Sequence, residues 1–166
     1  MDQNYQEKNN EFYEAVGRAL SAWQPIEIHL ALLFVGLLGA RSFKAAFASF
    51  GTVANLNTRM QMLEAAANAT LDGEEAKAFA QFLQQVRKAS ANRNKLAHWM
   101  YNAVVDDDGE VDIFLADVRK GPVGPDESPV RLKDIREWVE EWGQLQLWAA
   151  SLAAASATHA AADAMR

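Results

Sequence analysis

The sequence predicts a mainly helical protein carrying one small β-hairpin. Apolar residues recur at three- and four-residue spacing through most of the chain, the pattern of helices with one buried face. Residues that start or stop helices bound those runs. Past residue 100 the pattern changes to two β-prone runs around Asp108-Gly109, a strong short-range hairpin signal. With 166 residues, half of them apolar, the chain has the size of one domain and enough material for a core. The expectation is a single domain over residues 1–166, a helical bundle with a helical core at about 8–100, a hairpin at about 101–118 and a C-terminal helix at about 131–165.

The first helix is read from Phe12, Val16, Leu20, Trp23, Ile26, Leu30, Leu33 and Leu37, with Gly39 as its C-terminal glycine. Pro25 leaves two alternatives: a kinked helix, or one helix ending near Trp23 and another starting at Pro25. A short helix follows over residues 42–50, closed by Gly51. Residues 52–71 carry Val53, Leu56, Met60, Leu63 and Ala67 on one amphipathic face. Asp72-Gly73-Glu74-Glu75 has the D-x-x-E pattern of a capping box and opens a helix with Phe79, Phe82, Leu83 and Val86 on one side. That helix either breaks near Ala91-Asn92 or continues through His98. Residues 101–106 and 111–118 are the two strands, residues 121–129 a loop. Ile135, Trp138, Trp142, Leu145, Ala149 and Leu152 mark the last helix, whose alanine-rich end suits close helix packing.

Composition removes several kinds of chemistry. There are no cysteines, which excludes disulfides, thiolate catalysis and cysteine-based metal sites. Three histidines, His29, His98 and His159, are too few for a multi-histidine metal site within one subunit. No Gly-rich phosphate loop occurs, and Asp106-Asp107-Asp108 reads as turn chemistry rather than a metal site. His29 is read as structural or interfacial and His159 as solvated. The net charge of −6 argues against a surface basic throughout, not against a local basic site. The polar N-terminus does not look like a signal peptide. The most apolar run, residues 26–40, contains Glu27 and His29 and is short for a membrane span, so a cytoplasmic protein with no membrane partner is expected.

One segment concentrates chemistry. Residues 91–98 read Ala-Asn-Arg-Asn-Lys-Leu-Ala-His, with Arg93 five positions before His98 and Asn94 four before it. On a helix Asn94 shares the face of His98, and a cation, an amide and an imidazole can converge on one small target. The spacing alone is a weak signal. Local charge adds to it: residues 76–105 hold five cations (Lys77, Arg87, Lys88, Arg93 and Lys95) and no acid, while the rest of the chain holds 11 cations against 22 acids. Such a concentration suits an anionic substrate such as RNA phosphates.

The segment Arg93-Asn94-Lys95-Leu96-Ala97-His98 resembles the signature of HEPN domains, helical domains of bacterial toxin–antitoxin, anti-phage and CRISPR-associated systems. That signature is an arginine, commonly followed by Asn, Asp or His, with a histidine four to six residues further on. The similarity extends over about residues 8–105: a long tryptophan-containing first helix, a second helix with an arginine, and the R-N-x-L-A-H segment preceded by a helix. It implies a metal-independent endoribonuclease with no cofactor and a composite site across a homodimer. The motif histidine would act in acid–base catalysis of 2′-hydroxyl attack on the adjacent phosphate, a role suited to a side chain whose unperturbed pKa is about 6.5. Arg93 would hold the phosphate and stabilise developing charge, and Asn94 would orient the histidine or a phosphate oxygen. It also implies a defence or toxin–antitoxin setting, with an antitoxin or regulatory protein as a further partner. In one departure, Met100 stands where a subset of HEPN toxins has a tyrosine modified by a partner nucleotidyltransferase, and that regulation is not carried over.

Alternatives stay open around the motif. Glu27 either supports the motif through a hydrogen bond or pairs with Arg59 on a neighbouring helix, and with Lys95 these two are the supporting candidates. Trp99 either stacks on a base or belongs to a core or dimer interface. Trp138, Trp142 and Trp148 fit core or dimer contacts. The competing function is a non-catalytic dimeric interaction or nucleotide-binding module built on the same fold.

Overall fold

Pro25 does not end the first helix. In the computed structural model, which describes residues 3–117 and 128–163 and side chains as far as residue 156, α1 runs unbroken over Gln3–Leu37 with Pro25 inside it. Beyond it come α2 (Phe43–Thr52), α3 (Leu56–Thr70), α4 (Gly73–His98), β1 (Met100–Val105), β2 (Val111–Ala116), β3 (Val130–Arg131) and α5 (Leu132–Asp163). The fold is thus mainly helical with a small antiparallel sheet, in the strand order β1-β2-β3. Val118, residues 121–127 of the expected loop, residues 164–165 of the expected last helix and the His159 side chain lie outside the described residues.

The chain divides into two compact units, Met1–Trp23 with Ala89–Trp142 and Gln24–Lys88 with Gly143–Arg166; α1, α4 and α5 each lend residues to both.

The unit holding Gln24–Lys88 is the helical one. Its core is formed by Ile26, Leu30, Leu33, Phe50, Met60, Leu63, Phe82, Leu83, Val86 and Ala149. Phe34 meets Phe50 at 5.0 Å between ring centroids, and Phe82 meets Trp148 edge-on at 5.5 Å. Caps set the boundaries. The Ser42 hydroxyl accepts the Ala45 N–H, and the Asn55 side-chain oxygen accepts those of Asn57 and Thr58 at 2.8 and 3.3 Å. The Asn55 cap explains why the helix expected from residue 52 starts at Leu56. Gly39, with φ +52°, sits just past α1 in the left-handed region where a side chain is strained. The His29 Nδ1–H donates to the Pro25 carbonyl at 2.7 Å; a carbonyl only accepts, so this nitrogen carries the proton. That bond gives His29 a structural role.

The helix also changes one argument made from sequence. Counted from residue 26, the apolar run is short for a span; counted through Pro25, α1 is long and apolar enough, by length and composition alone, to cross a membrane. In this structure Ile26, Leu30 and Leu33 of that stretch are instead buried in the core.

The unit holding Ala89–Trp142 contains the sheet. Asp106 and Glu110 close the β1–β2 turn: Asp106 N–H donates to the Glu110 carbonyl, and Gly109 N–H donates to that of Asp106, both at 3.0 Å. The Asp106 carboxylate accepts the Asp108 and Glu110 N–H groups at 3.0 and 2.8 Å, and Gly109 takes φ +81°. The Asp-Asp-Asp-Gly run is therefore a turn whose first carboxylate is occupied by backbone donors. The third strand, absent from the sequence reading, pairs Phe114 with Arg131 and Leu115 with Val130. Arg131 adds three bonds to the Asp112 carboxylate, the shortest 2.9 Å from Nη2. Two residues behind a proline give too little alternation for sequence to reveal a strand. Trp23 and Trp142 meet edge-on at 5.2 Å, and among the described residues the buried Trp142 indole N–H finds no acceptor.

Tyr101 pins β1 to α1. Its hydroxyl donates to Asn9 Oδ1 at 2.7 Å and lies 3.4 Å from that of Tyr5; its ring stacks on Tyr13 at 5.2 Å. Desolvation, then the bond to Tyr5, push the Tyr101 phenol well above the usual tyrosine range. The folded state therefore favours the neutral phenol, and this stabilisation is full below the unfolded pKa of about 10 and is lost as pH rises past it. Tyr101→Phe is expected to cost about 1 kcal/mol at neutral pH. It should also flatten the fall in stability above about pH 10, read by urea unfolding at a series of pH values. An alkaline slope identical to that of the parent would refute the coupling.

Candidate functional site

The motif helix runs through His98. No glycine or proline interrupts residues 91–97, and buried Leu96 continues the stripe of Val86 and Ala89. The choice left open at Ala91-Asn92 is resolved by that anchor. Arg93, Asn94, Lys95 and His98 therefore occupy the last turns of α4, just before the chain enters β1 at Met100.

Helix geometry separates Arg93 from His98 by about 140° around the axis and about 7.5 Å along it. Asn94 lies only about 40° from His98. A guanidinium on Arg93 must therefore reach around the helix to act with the imidazole, and it leans that way: Arg93 Nη1 donates a long hydrogen bond, 3.4 Å, to Asn94 Oδ1. Arg93 is half-buried, while Asn94 and His98 are exposed. Among the described residues no hydrogen bond holds the His98 ring, and no carboxylate pairs with Arg93, Lys95 or His98. Of the other cations of the basic stretch, Lys77 pairs with Glu74 and Arg87 with Glu64, each at 2.7 Å, while Lys88 has no carboxylate partner among the described residues.

Lys95 has a setting that sequence spacing does not reveal. Its ammonium lies over the Trp99 ring, 5.3 Å from the centroid, and over the Trp138 ring at 5.5 Å. Trp99 lies just past the end of α4, four residues after Lys95, with its N–H still donating to the Lys95 carbonyl at 2.9 Å, so that half of the arrangement was readable. Trp138 comes from α5, and its helical spacing fits a core position equally well. Both rings are half-buried.

Glu27 and Arg59, the other supporting candidates, belong to the second unit. Arg59 Nη1 donates to Glu27 Oε2 at 3.4 Å, the ion pair that was one of the two alternatives for Glu27. The same guanidinium donates to the carbonyls of Val53 and, at 3.2 Å, Gly51, and lies 5.8 Å from the Phe50 centroid. It thereby satisfies acceptors left over at the C-terminal end of α2, which is a structural role.

A separate cleft of about 390 Å³ is lined by Glu11, Glu14, Arg18, Ile135, Arg136 and Glu140, among others. Its arginines are held by its own carboxylates, Arg18 by Glu14 and Arg136 by Glu11. No histidine, serine, threonine or lysine lines it. Among the described residues no group of three or more acidic or histidine side chains is placed to hold a metal ion.

Comparison with protein-family models, with curated proteins and with solved structures finds no match for this chain.

Proposed function

We propose that this protein is a metal-independent endoribonuclease of the HEPN type, acting at a composite site where two copies bring their Arg93, Asn94 and His98 together. One observation carries the reading: an arginine, an amide and an imidazole share the accessible last turns of one helix, within a segment of the chain that has five cations and no acid. In this mechanism the His98 imidazole takes the proton of the 2′-hydroxyl, whose oxygen attacks the adjacent phosphorus. His98 of the partner subunit gives a proton to the departing 5′ oxygen. Arg93 holds the non-bridging oxygens as charge builds on them, and Asn94 steadies the guanidinium. The products are a 2′,3′-cyclic phosphate and a 5′-hydroxyl. A cytoplasmic location, a defence or toxin–antitoxin role, and an antitoxin or regulatory protein as partner belong to the same proposal.

The second reading, a non-catalytic dimeric interaction or nucleotide-binding module, is favoured by the exposed His98 ring, which no described residue orients. Incubating the protein with a mixed RNA pool in EDTA, followed by end-group analysis, separates the two. The nuclease reading expects fragments ending in cyclic phosphate. Retention of intact RNA on the protein favours the module.

A further inference from the structure

Beside the motif, Lys95, Trp99 and Trp138 form a second constellation with a different chemistry. A lysine on a surface ordinarily sits in water or beside a carboxylate. Here the ammonium lies 5.3 and 5.5 Å from two indole centroids, with no carboxylate pairing among the described residues. Attraction to the π faces orders the side chain but leaves its full charge uncompensated. The two indoles are only half-buried, unlike Trp23 and Trp142 in the same unit, which are 2% and 0% exposed. Aromatic faces next to unpaired cations are what an unpaired nucleotide needs: a flat surface for the base and a positive head for its phosphate.

From this juxtaposition we infer that Trp99, Trp138 and Lys95 form a base-stacking subsite for the nucleotide flanking the phosphate held at Arg93 and His98. The inference rests on the ribonuclease reading and deepens it. Trp99 directly follows His98, so a phosphate at the imidazole has its neighbouring nucleoside next to this pair. On binding, Lys95 exchanges the indole faces for a phosphate oxygen, and the base takes the vacated face. The exchange replaces cation–π contacts with an ion pair, and no proton moves.

The test uses the full chain carrying His98→Ala, so that RNA is bound but not cut, and a fluorescent ten-nucleotide RNA containing a site mapped with the wild type. Trp99→Leu and Trp138→Leu, each checked for folding by circular dichroism, are expected to weaken binding about 5- to 150-fold. An abasic nucleotide beside the cut phosphate should weaken it similarly. Trp99→Leu on the abasic strand should add no further loss, because both changes remove one contact. Losses that multiply, or folded tryptophan variants that bind as well as their parent, overturn the subsite. Lys95→Met keeps the packing stem and should reduce the slope of log affinity against log salt by about 0.7; an unchanged slope overturns it as well. Failure of the nuclease reading looks different: there the wild type leaves the RNA pool uncut.

Discussion

Changing His98 to alanine is expected to abolish RNA cleavage while leaving the protein folded. Loss of a positioned general acid–base group lowers the rate by about 10²–10⁴. In a two-fold site each cut uses both copies of His98, so the upper end of that range applies. The ring is exposed and makes no hydrogen bond among the described residues, so the stability cost should lie within about 0.5 kcal/mol. Cleavage of a labelled RNA in EDTA, with urea unfolding and sedimentation of the same preparation, measures all three quantities. Arg93→Lys provides the contrast. A lysine keeps the charge but loses the planar fork, and so loses both the bond to Asn94 and two-point contact with a phosphate. Its rate should stay far below wild type. Unchanged cleavage by His98→Ala would remove His98 from the chemistry and leave the binding module as the better reading.

What the sequence conveyed divides along physical lines. Helix faces were legible where apolar spacing was regular, as at Phe79, Phe82, Leu83 and Val86, because burial selects residues at that period. Boundaries follow the side chains that enforce them, and periodicity alone misplaces them. Asn55 starts α3 later than periodicity implied, since a cap with two backbone donors outweighs one apolar residue at position 53. Pro25 could not be decided from sequence, because proline removes one backbone bond while the packing of Trp23 and Ile26 on either side favours continuing. The β3 strand was invisible because its pairing depends on Phe114 and Leu115, distant in the chain. At the site the motif residues were readable as a local pattern. The placement of Trp138 over Lys95 was not, because it joins α5 to α4 and no local spacing encodes it. Likewise, Glu27 and Arg59 could be named as a pair, but not the hold of Arg59 on the end of α2.

Phe82→Ala, on the same helix, should have the opposite signature. Phe82 is 0% exposed, lies 6.1 Å from the Phe79 centroid, and receives the edge of Trp148 at 5.5 Å. Truncation removes its burial and leaves a cavity that two neighbouring rings are too rigid to fill, at a cost of about 3–5 kcal/mol. A domain of this kind has about 5–15 kcal/mol in total, so the loss is a large share of it. Urea unfolding should show a lower midpoint with an unchanged slope. Phe82→Leu, which keeps most of the volume, should recover more than half of the loss. At temperatures where the variant remains folded, cleavage per folded molecule should match wild type, because Phe82 touches no motif residue. A loss under 1 kcal/mol would mean that the α4 face carrying Phe82 is not the core of its unit, and the register that presents Asn94 and His98 to solvent would be wrong with it. The pair of variants therefore tests one helix from both sides, the buried face through stability and the exposed face through chemistry.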